Sequence, residues 1–76
     1  MTFVEILRSE RERRNLTQAR AAEMLNITTS AYTNLEQGRW KPGPKLVKRL
    51  YQELGISPAV SRPDYYVWLL EESYDG

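Results

Sequence analysis

The sequence predicts an all-α domain of five short helices. Three features of its 76 residues support this prediction. Apolar residues recur three and four positions apart, which is the spacing of one face of a helix. Residues that favour helix starts precede these segments, and asparagine or glycine, which favour helix ends, follow them. No segment shows the alternation of apolar and polar residues that is typical of a strand.

The first two helices are predicted from their caps. Thr2 and Glu5 have the spacing of a capping box, so a helix is expected to begin directly after Thr2. Asn15 tolerates the left-handed backbone that ends a helix. Thr17 is a favourable N-cap for a second helix over residues 18–25.

Similar signals predict the third and fourth helices. Thr28 is expected to cap the third helix and Gly38 to end it. Residues 39–44, "RWKPGP", cannot be helical because two prolines and a glycine interrupt them. Pro44 suits the first position of a fourth helix, which Gly55 ends. The apolar face expected for this helix comprises Leu46, Val47, Leu50, Tyr51 and Leu54.

A fifth helix is predicted near the end of the chain. Ser61, Pro63 and Asp64 mark its start, and it runs through "DYYVWLLEES". Six consecutive residues of this segment, 65–70, are aromatic or aliphatic, and one buried face needs about half of them. The residues expected to dock inward are Leu69 with Tyr66 or Val67.

The amino-acid composition argues against several classes of function. The chain contains neither cysteine nor histidine, so thiolate chemistry and a histidine general base are excluded. It shows no phosphate-binding glycine loop and no inward pair of carboxylates, so we expect no enzyme, cofactor or metal site. No apolar stretch approaches the length of a membrane span, and the lack of cysteine suits a reducing compartment. We therefore expect a cytoplasmic protein without a membrane or small-molecule partner.

Charge is distributed unevenly along the chain. Residues 1–62 hold all eleven lysines and arginines against six acidic residues, whereas residues 63–76 hold four acidic residues and no base. A basic body with an acidic end indicates two surfaces that meet different partners. A mixed solvated surface is the alternative that charge alone leaves open.

The third helix carries short polar side chains that neither fill a core nor favour a helix. Only a few residues around Asn26 join it to the second helix, which is typical of a helix-turn-helix. Short polar side chains at a helix N-terminus can bond to base edges, and threonine methyl groups can contact thymine methyl groups. The alternative is an N-cap followed by a solvated face. For Thr28 taken alone, the N-cap is the favoured interpretation. For the short polar side chains of the third helix taken together, contact with DNA is favoured.

The segment "LTQARAAEMLNITTSAYTNLEQG", residues 16–38, resembles the helix-turn-helix domains of phage repressors, Cro proteins and related XRE-type regulators. The resemblance extends more loosely over residues 3–56. It implies a compact, lambda-repressor-like fold, binding to double-stranded DNA and association with the nucleoid. We expect residues 1–56 to form the DNA-binding part, and residues 57–76 to add a C-terminal helix and acidic tail to the same domain.

The resemblance also assigns roles to single residues. Base edges would be read by Thr29, Ser30, Asn34 and Thr33, among which Asn34 can pair bidentately with adenine. Contacts to the DNA backbone would come from Gln18, Thr28, Arg39, Trp40, Lys41 and Lys45. Trp40 either stacks on a sugar or covers the edge of the domain. Gln18 would also brace the recognition helix, and Arg11 would pair with Glu36 as a structural ion pair.

This sequence departs from the family pattern at three places. Asn26 stands where the turn usually has glycine, and it tolerates the left-handed backbone at some cost. Ala21 replaces a large apolar residue, so Tyr32 is expected to fill that space. The recognition helix lacks long glutamine, arginine or lysine side chains, so part of the specificity is expected to come from DNA shape.

Relatives of this type usually bind as dimers to two half-sites. The aromatic residues left over on the fifth helix predict a homodimer interface that contains Tyr65, Trp68 and Leu69, and hence a two-fold symmetric operator. Covering of the core's edge by Tyr65 and Trp68 is the alternative.

Two functional hypotheses follow. The first is a sequence-specific repressor of phage or mobile-element type, with phage repressor or Cro, antitoxin and operon autoregulator left open. The second is a protein-interaction module, such as an antitoxin or adaptor, that uses the same fold and the apolar C-terminal helix.

Overall fold

Five short helices follow one another along residues 1–64, the part of the chain that the structure, a computed structural model, describes. They are α1 (Phe3–Arg13), α2 (Gln18–Met24), α3 (Thr29–Glu36), α4 (Pro44–Leu54) and α5 (Pro58–Ser61). Residues 1–64 contain no strand, and the predicted all-α class is confirmed. None of these helices is long and apolar enough to cross a membrane.

The predicted caps set the bounds of α1 and α2. The Thr2 hydroxyl accepts the backbone N–H of Glu5 at 3.3 Å, and the Glu5 carboxylate accepts the backbone N–H of Thr2 at 3.0 Å. Asn15 and Asn26 both take the left-handed backbone, with φ of 55° and 59°. Thr17 caps α2 by accepting the backbone N–H of Arg20. The capping box and both turns are thus confirmed.

The ends of α3 and α4 also follow the prediction. Thr28 caps α3, and Gly38, just past its end, has a φ of 74°. Pro44 is the first residue of α4, and Gly55 ends that helix with a φ of 67°. Both glycines supply a left-handed backbone that other residues adopt only with strain.

One core joins the first four helices. Its fully buried members include Leu7, Leu25, Leu35, Leu50 and Leu54. Ala21 and Tyr32, a small and a large side chain, are both buried in the same cluster. Tyr51 was predicted wrongly for this core: it is 60% exposed, because it lies at the edge of the arc that Leu46, Val47, Leu50 and Leu54 define.

The short helix α5 was not predicted. Ser57 caps it and Pro58 is its first residue, and it packs against α4. Helical backbone resumes at residues 63 and 64, where the described part ends. The body of the predicted fifth helix, with Tyr65, Trp68 and Leu69, lies outside the described residues.

Candidate nucleic-acid interface

The α2–α3 unit is a helix-turn-helix. Leu25 ends α2, Asn26 turns the chain, and the backbone N–H of Ile27 donates to the carbonyl of Ala22 at 3.0 Å to close the turn. Thr28 is then the N-cap of α3. Ala22 is buried, and its small side chain permits the close crossing of the two helices.

Glu36, at the end of α3, fixes this unit to α1. Arg11 Nε donates to Glu36 Oε1 at 2.6 Å, which is the ion pair that the family resemblance implies. Tyr32 Oη donates to the same oxygen at 3.0 Å, and Gln18 Nε2 donates to Oε2 at 2.7 Å. Arg11 Nη1 also donates to the carbonyl of Leu16 at 2.9 Å. Side chains from three helices therefore converge on one carboxylate whose side chain is 3% exposed.

These bonds keep Glu36 ionised inside the protein. Burial raises the pKa of its carboxyl, but hydrogen bonds from Arg11, Gln18 and Tyr32 outweigh that effect and hold the pKa below its usual value. Burial, and then the hydrogen bond to Glu36, raise the pKa of the Tyr32 phenol, which therefore stays protonated as a donor. The hydrogen bond to Glu36 likewise raises the pKa of Arg11.

Gln18 and Thr33, both predicted to contact DNA, contact each other. Thr33 Oγ1 donates to Gln18 Oε1 at 3.0 Å, while the amide nitrogen of Gln18 is bonded to Glu36. Gln18 thus braces α3, as the resemblance implies, and keeps one amide N–H for a phosphate. Thr33 uses its hydroxyl proton inside the protein, so its geometry fits a positioning residue better than the base-reading role expected for it.

The first turn of α3 is open to solvent. The Thr28 hydroxyl accepts the backbone N–H of Ala31 at 3.0 Å, so this side chain serves as the N-cap. Thr29 and Ser30 are exposed next to it. Asn34, half-buried one turn later, donates from Nδ2 to the carbonyl of Ser30 at 3.1 Å. Its Oδ1 and second N–H keep the donor and acceptor pair that adenine recognition needs.

The loop after α3 carries the predicted backbone-binding residues. Its start is fixed by Gly38 and by the backbone N–H of Arg39, which donates to the carbonyl of Asn34 at 2.9 Å. Arg39 and Lys41 are exposed, and Trp40 between them is 53% exposed. Lys45 is exposed in the first turn of α4. These cations are accessible to a phosphate backbone.

Two features of this region were not predicted from the sequence. Tyr32 was assigned to the core alone, although its spacing of four residues from Glu36 on one helix predicts their contact. The second feature is Arg14, which pairs with Glu10. Its Nη2 donates to the carbonyl of Leu54 at 3.3 Å, so it ties the end of α1 to the end of α4.

A protein-family model described as helix-turn-helix matches residues 7–60, well over half of the chain. The chain belongs to the XRE-type helix-turn-helix family. This helix-turn-helix protein is thereby a member of a family of DNA-binding transcription regulators rather than enzymes, and double-stranded DNA is the partner that membership implies. No curated protein and no solved structure matches the chain.

Proposed function

We propose that this helix-turn-helix protein is a sequence-specific transcriptional repressor of phage or mobile-element type. It acts by placing residues 28–36 in the major groove of an operator. The observation that carries this proposal is the contrast between two ends of α3. Its first turn exposes Thr29 and Ser30, whereas Glu36 at its other end is bonded to α1 and α2.

The reading of bases is assigned to three side chains. Thr29 and Ser30 offer hydroxyls at the helix N-terminus, and Asn34 offers an amide one turn later. All three are short, so α3 must approach the base edges closely, and groove width then contributes to the choice of sequence. Thr33 supports these readers through its hydrogen bond to Gln18.

Contacts to phosphate position the helix. Arg39, Lys41 and Lys45 supply charge, and the open N–H of Gln18 supplies one hydrogen bond. The methyl group of Thr28 and the exposed ring of Trp40 provide further contact with the sugar-phosphate backbone. These contacts give affinity that falls with salt but little choice between sequences.

Dimerisation completes the proposal. Residues 1–56 form the DNA-binding part, and residues 57–76 carry the interface, with Tyr65, Trp68 and Leu69 at its centre. A two-fold dimer binds two half-sites about one helical turn apart, so the operator has two-fold symmetry.

Selection of bound duplexes from a random library at near-physiological salt tests this function. The expected result is a two-fold symmetric motif, whose half-site spacing gives the geometry of the dimer. Bound DNA without any motif would contradict sequence-specific repression. The absence of retained DNA would instead favour the interaction module.

A further inference from the structure

An apolar groove lies between the start of α1, the loop after α3 and the short helix α5. It has a volume of about 450 Å³. Its walls are mainly aliphatic, aromatic and proline side chains, among them Phe3, Val4, Trp40, Pro42 and Val60. A groove of this size and character on so small a domain is typical of a binding surface.

Ser61 adds a polar requirement to this groove. The residue lines the groove and is 4% exposed, and its Oγ has no hydrogen-bond partner among residues 1–64. Buried hydroxyls in folded proteins nearly always have a partner. The occupant of the groove is therefore expected to bring a polar atom as well as apolar surface.

The chain itself leads into the groove. Arg62 Nη1 donates to the carbonyl of Pro42 at 2.9 Å, and its Nε donates to Asp64 Oδ1 at 3.1 Å. Arg62 thus holds Asp64 against the loop after α3, and Asp64 also lines the groove. The part of the chain that the structure describes therefore ends at the groove.

We propose that residues 65–70 of the same chain occupy this groove. These residues, "YYVWLL", supply the apolar surface, and the phenol of Tyr66 supplies the polar partner for Ser61. Their attachment at the rim makes docking intramolecular, and a short tether gives an effective concentration in the mM range. A second copy or another protein would have to compete with this covalently attached segment.

Helical phase divides the segment into two faces. A helix that continues from residues 63 and 64 places Tyr66, Val67 and Leu70 on one side. In the proposed docking this side meets the groove, with Leu70 in the inward place that the sequence predicts for Leu69. The opposite side carries Tyr65, Trp68 and Leu69, the residues proposed for the dimer, so one segment serves both contacts. The docked segment also braces the loop that carries Arg39 and Lys41.

Trp40 provides the readout for a test in the full-length chain. The sequence has two tryptophans, so Trp68→Phe leaves Trp40 as the single emitter. In this background, Val67→Asp with Leu70→Asp is expected to expose Trp40, shift its emission to longer wavelength and raise its quenching by acrylamide. The matched control is Tyr51→Asp, an exposed position on α4 outside the groove, which should leave Trp40 emission unchanged. Circular dichroism checks that each variant remains folded.

Two results would overturn the proposal. Unchanged quenching in the folded double variant would mean that the segment does not cover Trp40. Quenching of the parent that rises on dilution to the level of the double variant would mean that a second copy fills the groove. Neither readout involves DNA, so failure here leaves the proposed regulatory function intact.

If the double variant does not fold, an engineered pair of cysteines tests whether residues 65–70 dock in the groove of their own chain. The native chain has no cysteine, so Val4→Cys with Leu70→Cys introduces the two thiols alone. Oxidation is expected to yield a disulfide within one chain, so the protein runs at the mass of a single chain on a denaturing gel without reductant. Gln52→Cys with Leu70→Cys is the control, because Gln52 lies on α4 outside the groove. A covalent dimer, or no disulfide at all, would contradict docking within one chain.

Discussion

Glu36 accepts hydrogen bonds from Arg11, Gln18 and Tyr32. These bonds fix the position of α3 relative to α1 and α2. An ionised carboxylate is costly to bury, and only a full set of donors offsets that cost. Here both oxygens are used by side chains from α1, α2 and α3. The contacts that stabilise the fold at the C-terminal end of α3 therefore also fix the orientation of its first turn, which is proposed to contact DNA.

Glu36→Ala is expected to lower the free energy of unfolding by about 3 kcal/mol, because it leaves the guanidinium of Arg11 largely buried without its partner. Chemical denaturation of the two proteins measures this difference. The control is Glu23→Ala, which removes an exposed pair with Arg20 and should cost less than about 1 kcal/mol. Equal losses in the two variants would show that the buried pair has no special role.

Stability should also depend on pH through Glu36. Its pKa is lower in the folded protein than the usual 4.5, so the folded state holds the charged form more strongly than the unfolded state does. This contribution is complete above about pH 5 and is lost as the pH falls through the folded-state pKa. Denaturation of wild type and Glu36→Gln between pH 3 and pH 7 tests this expectation.

The difference in the free energy of unfolding between wild type and Glu36→Gln should decrease as the pH falls. Glu5 and Glu10 also have lowered pKa values, but they are present in both proteins and cancel in the comparison. A difference that stays constant across this pH range would contradict the assignment to Glu36.

At the scale of elements, local signals predicted most of the architecture. Caps and left-handed residues act within three or four positions of the chain, so Thr2, Thr28, Asn15, Asn26 and Gly38 could be interpreted without tertiary information. The helix α5 was missed because four residues are too few for a periodic pattern. Its one local signal is Ser57 followed by Pro58, a good N-cap and a good first residue.

Contacts between elements were harder to predict. The bond between Thr33 and Gln18 joins residues fifteen positions apart and depends on how α2 crosses α3. The family resemblance supplied the pair of Arg11 and Glu36 but not this bond. The groove beside Trp40 depends in the same way on three separate elements, which no single segment reveals.

The loop after α3 gives a prediction at the scale of elements. Lys41→Ala should weaken binding to all DNA sequences by a similar factor and reduce the slope of log affinity against log salt by about one unit, since one phosphate contact is lost. Titrations of operator and scrambled duplexes at several salt concentrations measure both quantities. A loss confined to the operator would mean that Lys41 reads bases.

At the scale of the whole molecule, charge separates two surfaces. The basic residues lie in positions 1–62, and the last fourteen residues carry only acidic charge. DNA repels the acidic end, so the chain is expected to present α3 and the following loop to DNA and to direct its C-terminus away. A second protomer is proposed to meet that end of the molecule.

Trp68→Ala tests this arrangement. It removes the largest side chain of the proposed dimer face, so the variant is expected to sediment as a monomer and wild type as a dimer. Tyr51→Ala is the control, because Tyr51 is also aromatic and is 60% exposed, but it lies on α4 and outside the proposed dimer face. A Trp68→Ala protein that remains dimeric would place the interface elsewhere.

The central claim is that the open turn of α3 reads DNA sequence, and base preference tests it most directly. Binding of wild type and of Thr29→Ala with Ser30→Ala should be measured on the selected operator and on each of its single-base variants. The predicted result is a loss of about 1–3 kcal/mol of discrimination at one or two positions in every half-site, with preference retained elsewhere. A uniform loss on every duplex, or no loss at all, would contradict the claim.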